Sequence, residues 1–167
     1  MPNLCIYVNM PDINVSDESK LREAMELLYF GYRAFTSEGD HLLIADGFGR
    51  AHHRVLYFVG RESGMTVGTL LQTLQISKQA LAPVLRQLID KGLVDQQAGA
   101  VDKRERCLSL TSQGLALERA IAARQMTCLQ KSFSEAGADA VEGFRQVMLG
   151  LVEEAQRSRF DQILDKR

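Results

Sequence analysis

The sequence predicts a mainly α fold of the α+β type, with one small hairpin set among long helices. Three observations carry that prediction. Apolar residues recur at helical spacing at Leu21, Met25, Leu28, Tyr32 and Phe35, and again at Val141, Phe144, Met148, Leu151 and Ala155. Thr66, Ser77 and Thr111 each stand directly before a helical run, where a side-chain oxygen can cap the first turn. Between the last two of these lie the runs 93–97 and 105–110, which read as short strands on either side of a charged loop.

Taken in order, residues 1–15 look irregular, interrupted by Pro2 and Pro11. Ser16 offers an N-cap for a helix over 17–37, with Asp17 and Glu18 placed to meet the positive end of its dipole. Gly39 and Asp40 read as its end. A linker then leads to a second helix near "RAHHRVLYFVGRES", stopped at Gly64. Thr66 opens a third, short helix. Ser77 opens a fourth over 78–91, and Gly92 sits where a C-terminal cap residue belongs. After the hairpin, Thr111 starts a long helix that runs to about Ala136 and is broken by Gly137, and a last helix follows.

Composition sets the bounds. With 46% hydrophobic and 25% charged residues, the 167-residue chain has the make-up of a globular protein of one or two pieces. No apolar run reaches the roughly 18 residues needed to cross a bilayer. The N-terminus lacks a basic n-region and a long apolar core, so a cytoplasmic location with no membrane partner is expected. Cys5, Cys107 and Cys128 are odd in number and form no CxxC pair, which argues against a zinc site and a disulfide scaffold. No Gly-rich phosphate loop, nucleophile elbow or metal-ligand cluster is present, so neither an enzyme nor a cofactor is expected.

Net charge is only −1, but it is unevenly spread. Residues 1–49 carry three Lys/Arg against eight Asp/Glu, a net of −5; residues 50–134 sum to +6 and residues 135–167 to −2. A positive middle between acidic flanks is compatible with a phosphate-binding face. The order of elements in that middle is informative. A short helix, a tight turn and a second helix make a helix-turn-helix, and a hairpin directly after it makes a winged one. In such a module the second helix enters the major groove of double-stranded DNA. On the helix 78–91, Leu81, Val84, Leu85 and Leu88 form the buried side. Lys78, Gln79, Ala82, Pro83, Arg86 and Gln87 then point outward. Lys can donate to guanine O6/N7 and Gln can pair with adenine N6/N7. Ser77 and the free N–H groups of the first turn can hold a phosphate. The plainer alternative is an amphipathic helix with a solvated polar face. Pro83 cannot donate to the carbonyl of Gln79, so a kink, or a helix whose first turn is loosened, is expected there.

The loop 102–106, "DKRER", packs three cations and two anions. Together with "LSLTSQG" after it and "LRQLIDKGLV" before it, it resembles the D-x-R-x-R wing, the L-T-x-x-G helix start and the recognition-helix end of the MarR family of transcriptional regulators. The resemblance covers about residues 17–160 and is densest at 66–114. It implies a winged helix-turn-helix over 50–111, an N-terminal arm and dimerisation helix over 1–49, and C-terminal dimerisation helices over 112–167. It further implies a homodimeric repressor of a pseudo-palindromic operator, released by a small-molecule or oxidant signal. Arg104 is then the wing-tip residue for the narrow minor groove, whose negative potential attracts arginine. Lys103 and Arg106 flank it, and Asp102 is expected to orient Arg104 or Arg106 through a charge-assisted pair. The alternative is a winged-helix module that binds protein without sequence-specific DNA binding; the cations at Lys78, Arg86, Lys103 and Arg104 speak against it.

The resemblance also implies an effector pocket between the dimer helices and the DNA-binding lobe. Its candidate liners are Tyr29, Phe30, Arg33, His52, His53 and Tyr57; the alternative is that these are core aromatics and a satisfied histidine. His52 and His53 are adjacent, about 100° apart on a helix, and cannot chelate one metal together. Cys5 lies where some peroxide-sensing relatives have a reactive thiol.

Overall fold

The computed structural model describes residues 17–100, 102–154, 156, 157 and 160. Ser16, Cys5 and Ala155 therefore lie outside the described residues, and with them the expectations placed on them. The chain divides into two compact units, Met1–Ala34 and Phe35–Arg167. The first helix, α1 (Glu18–Ile44), starts at Asp17, whose carboxylate accepts the N–H of Ser19 at 2.9 Å. The apolar residues of its first part, Leu21, Met25, Leu28 and Tyr32, are all exposed in the single chain.

The helix does not stop at Gly39. It continues to Ile44, because Gly39 is buried against α5, where an added Cβ would lie 2.6 Å from Cγ2 of Ile121. The true stop is Gly47, whose φ of +73° lets Phe48 donate to the carbonyl of Leu43 and Gly47 to that of Ile44.

Beyond it come α2 (Arg50–Arg61), β1 (Met65–Thr66), α3 (Val67–Leu74) and α4 (Lys78–Asp90), then the hairpin β2 (Val94–Ala98) and β3 (Arg106–Leu110), and finally α5 (Ser112–Ala136) and α6 (Ala138–Leu151). Thr66, Ser77 and Thr111 accept hydrogen bonds from the N–H groups of Thr69, Ala80 and Gly114 respectively, the caps expected of them. The strands form one antiparallel sheet in the order β1-β3-β2, with Val94 opposite Leu110 and Met65 opposite Leu108. Strand β1 has only two residues, too few for any alternation to show, and was not predicted.

The core gathers at this sheet. Leu56 and Val59 of α2, Leu81 and Leu88 of α4, Leu108 of β3 and Ile121 of α5 are all within 1% of full burial. Each such side chain contributes about 1.5–3 kcal/mol by leaving water. These contacts fix α4 and the hairpin on one scaffold. Helix α4 runs continuously through Pro83. Among the described residues no helix is long and apolar enough to cross a membrane.

Candidate nucleic-acid interface

The candidate interface is built on two elements, α4 and the hairpin. Leu81, Leu85 and Leu88 bury one side of α4, so the helical period turns Lys78, Gln79, Ala82 and Arg86 to solvent. Ser77 Oγ accepts from Ala80 N at 3.2 Å, which leaves its hydroxyl proton free to donate.

The hairpin tip is shaped by Asp102. Its Oδ1 accepts the backbone N–H of Arg104 at 2.8 Å, Glu105 N donates to the Asp102 carbonyl at 3.1 Å, and Gly99 N donates to the Glu105 carbonyl at 3.1 Å. The charge-assisted pair expected between Asp102 and an arginine side chain is not what the structure shows. Asp102 holds the backbone instead, because an Asx-type turn places its carboxylate over the N–H two residues on.

Between α3, α4 and the hairpin lies an open groove of about 620 Å³. Lys78 and Arg86 rim it from α4, and Arg104 and Arg106 from the wing; Ala82 and Leu85 line it between them. Gln96 of β2 and Glu105 also face it, neither of which was singled out from sequence. Ser77, Gln79, Asp102 and Lys103 lie outside this lining, exposed on the same two elements. None of Lys78, Arg86, Lys103, Arg104 and Arg106 forms an ion pair among the described residues. Four cations converge on one groove with their charge unspent, an arrangement suited to phosphate oxygens.

The L-T-x-x-G segment has a steric reason. Thr111 Oγ1 donates to the Gly92 carbonyl at 2.7 Å, drawing the start of α5 against the end of α4. The two backbones then meet so closely that a Cβ on Gly114 would fall 2.0 Å from the carbonyl oxygen of Leu93.

The family model of the MarR family matches residues 46–105. The HTH-type transcriptional regulator PetP of Rhodobacter capsulatus is 43% identical over 148 residues, 89% of this chain and 89% of that protein. The chain belongs to the MarR family. It is accordingly a transcriptional regulator of the winged helix-turn-helix type and not an enzyme. Among solved structures, a MarR family transcription regulator superposes with a TM-score of 0.67 at 23% identity, covering 89% of this chain and 95% of that one. A mutant MarR from E. coli complexed with operator DNA gives 0.64 at 19% identity, covering 81% and 97%. Reduced AbfR bound to DNA gives 0.55 at 25% identity, covering 81% and 99%.

The residues expected to line an effector pocket fall into two sets. In the unit Met1–Ala34, Tyr29 and Phe30 meet edge to face at 5.1 Å and the Arg33 guanidinium stands 5.7 Å from the centre of the Tyr29 ring. In the second unit, His52 is a satisfied, buried histidine, stacked on Phe48 at 4.7 Å and bonded through both ring nitrogens. His53 differs. Burial pushes its pKa below 6.5, with the Asp40 carboxylate pulling it back and Arg54 adding to the fall. Its Nε2 is buried without a hydrogen-bond partner among the described residues, as is Nε2 of Gln125. Tyr57 is exposed, its ring 6.4 Å from that of His53. Cys107 and Cys128 are free and half-buried, and no group of three or more metal-ligating side chains is found among the described residues.

Proposed function

We propose that this regulator is a homodimeric repressor that binds a pseudo-palindromic operator through α4 and the wing and is released by a small-molecule or oxidant signal. The observation that carries the reading is the set of unpaired cations, Lys78, Arg86, Arg104 and Arg106, facing one groove from both elements. In this reading α4 enters the major groove, where Gln79 and Lys78 reach base edges. Arg104 enters the adjacent minor groove, and Ser77, Lys103 and Arg106 hold the backbone. The fold shared with a MarR bound to operator DNA and with AbfR bound to DNA supports this placement.

Dimerisation is supported by the apolar residues left uncovered in one chain. On α6, Phe144, Val147 and Leu151 are each at least 49% exposed, and α1 exposes Leu21, Met25 and Phe30. Such a surface is buried by a second copy. In this reading 1–49 and 112–167 are the dimerisation parts around the DNA-binding part 50–111. The effector reading is supported by the buried, unpartnered Nε2 of His53, one of the residues the resemblance places at the pocket.

Selection of bound fragments from random DNA tests the whole reading. It should recover an inverted repeat with half-sites about one helical turn apart. Recovery of a single half-site would remove the dimer, and no enrichment would remove the operator.

A further inference from the structure

The recognition helix is gripped by one side chain that the DNA-facing set does not include. Gln87 follows Arg86 on α4, and the sequence places it among the outward polar residues. The structure leaves it exposed and also brings it to α2, with its Oε1 2.6 Å from Nε2 of His52. Nδ1 of the same ring accepts the N–H of Gly49 at 3.1 Å. A neutral imidazole has one acceptor and one donor nitrogen. Since Nδ1 accepts, the proton sits on Nε2, and His52 donates to Gln87. The ring cannot turn without breaking both bonds and leaving its stack on Phe48. The first residue of α2, Arg50, is in turn held by the Asp40 carboxylate of α1 at 3.1 Å. The start of α2 is thus fastened to α1 on one side and to α4 on the other.

We propose that His52 is a positioning residue for operator recognition, fixing through Gln87 the rotation of α4 with which Lys78, Gln79 and Arg86 meet the groove. The proposal rests on the reading of α4 as the recognition helix. Helix α4 runs unbroken from Lys78 to Asp90 through Pro83, so a rotation fixed at Gln87 is carried back to the first turn. The first half carries the residues that reach for bases. The half beyond Pro83 is the one His52 holds. Base edges are read only in a narrow range of orientations, whereas phosphate attraction tolerates a small rotation. Loss of the bond should therefore cost specificity before it costs general affinity.

The test uses the full chain, the strongest duplex recovered by selection from random DNA, and an unrelated duplex of equal length. Gln87→Leu should weaken the selected duplex about tenfold, the worth of one side-chain hydrogen bond, and leave the unrelated duplex unchanged. His52→Phe keeps a ring for Phe48 and should behave alike, and the double variant should be no weaker than the weaker single one. Equal losses on both duplexes, additive losses, or no loss would overturn the proposal. So would a loss for Gln87→Leu with none for His52→Phe, which would make Gln87 itself a base reader. Should His52→Phe fail to fold, nitrogen NMR of the wild-type imidazole and of Gln87→Leu decides. The wild type should show a protonated Nε2 and an unprotonated Nδ1, with Nε2 displaced in the variant; the reverse tautomer, or no displacement, overturns the assignment. Arg104→Ala is titrated alongside. If it weakens both duplexes while Gln87→Leu changes nothing, the positioning role alone is lost; if neither variant changes anything, the groove reading fails with it.

Discussion

At the scale of single residues, the local signals were the legible ones. Thr66, Ser77 and Thr111 cap the helices they precede because a cap depends only on the next three residues. Gly114 shows how a short motif encodes a contact. Its hydrogen is all that fits beside the Leu93 carbonyl, so Gly114→Ala must push α5 off the end of α4. The cost should be about 3 kcal/mol, read as a lowered urea midpoint; an unchanged midpoint would show that the two backbones separate freely. His53 makes a pH prediction. Its folded pKa lies below the 6.5 it returns to on unfolding, so the unfolded chain binds more protons as the solution is acidified. The stability present above pH 6.5 should decline as pH falls through 6.5 toward the lower folded value. His53→Leu should flatten that decline in urea unfolding measured across this range, and a decline as steep as that of wild type would place its source elsewhere. The His52–Gln87 bond was not legible, since its partners are 35 residues apart and only the packing of α2 on α4 joins them. Nor was the role of Asp102, whose carboxylate the sequence offers equally to an arginine side chain and to a backbone N–H.

At the scale of elements, the caps Ser77 and Thr111 and the stops Gly92 and Gly137 place α4 and α5, helical spacing places α6, and the charged loop between two short runs places the hairpin. Two misjudgements share a cause in tertiary structure. Gly39 reads as a stop by propensity, but Ile121 needs its small size and the helix continues to Gly47. Strand β1 is a strand only because β3 is there to pair with Met65 and Thr66. The placement of α4 makes its two exposed halves behave differently. Gln79, in the first turn, should set base preference, and Gln79→Ala should lose about 1–3 kcal/mol of discrimination at one base pair. Arg86, seven residues on, should hold a phosphate, so Arg86→Ala should weaken all duplexes alike. Titration of both variants against the selected duplex and its single-base variants separates them. Relaxed preference in Arg86→Ala with none in Gln79→Ala would mean that α4 lies in the groove the other way along.

At the scale of the whole molecule, the stripes on α1 and α6 were visible in the sequence, but a stripe does not say what covers it. The single chain leaves Leu21, Met25, Leu28 and Tyr32 of α1 and Phe144 and Leu151 of α6 exposed, with Phe35, Val141 and Met148 half-buried, and family membership together with the charge of the groove gives the reading of a dimer on DNA. The groove between α4 and the wing is where DNA contact is expected. The most direct measurement is the salt dependence of binding to the selected duplex, with stoichiometry, for wild type and Arg104→Ala. Two chains should bind each inverted repeat, with log affinity falling linearly as log salt rises. Arg104→Ala should bind more weakly and with a shallower slope, by about one unit for the contact it loses. An affinity and a slope identical to those of wild type would contradict the account, because the wing-tip arginine would then touch no DNA.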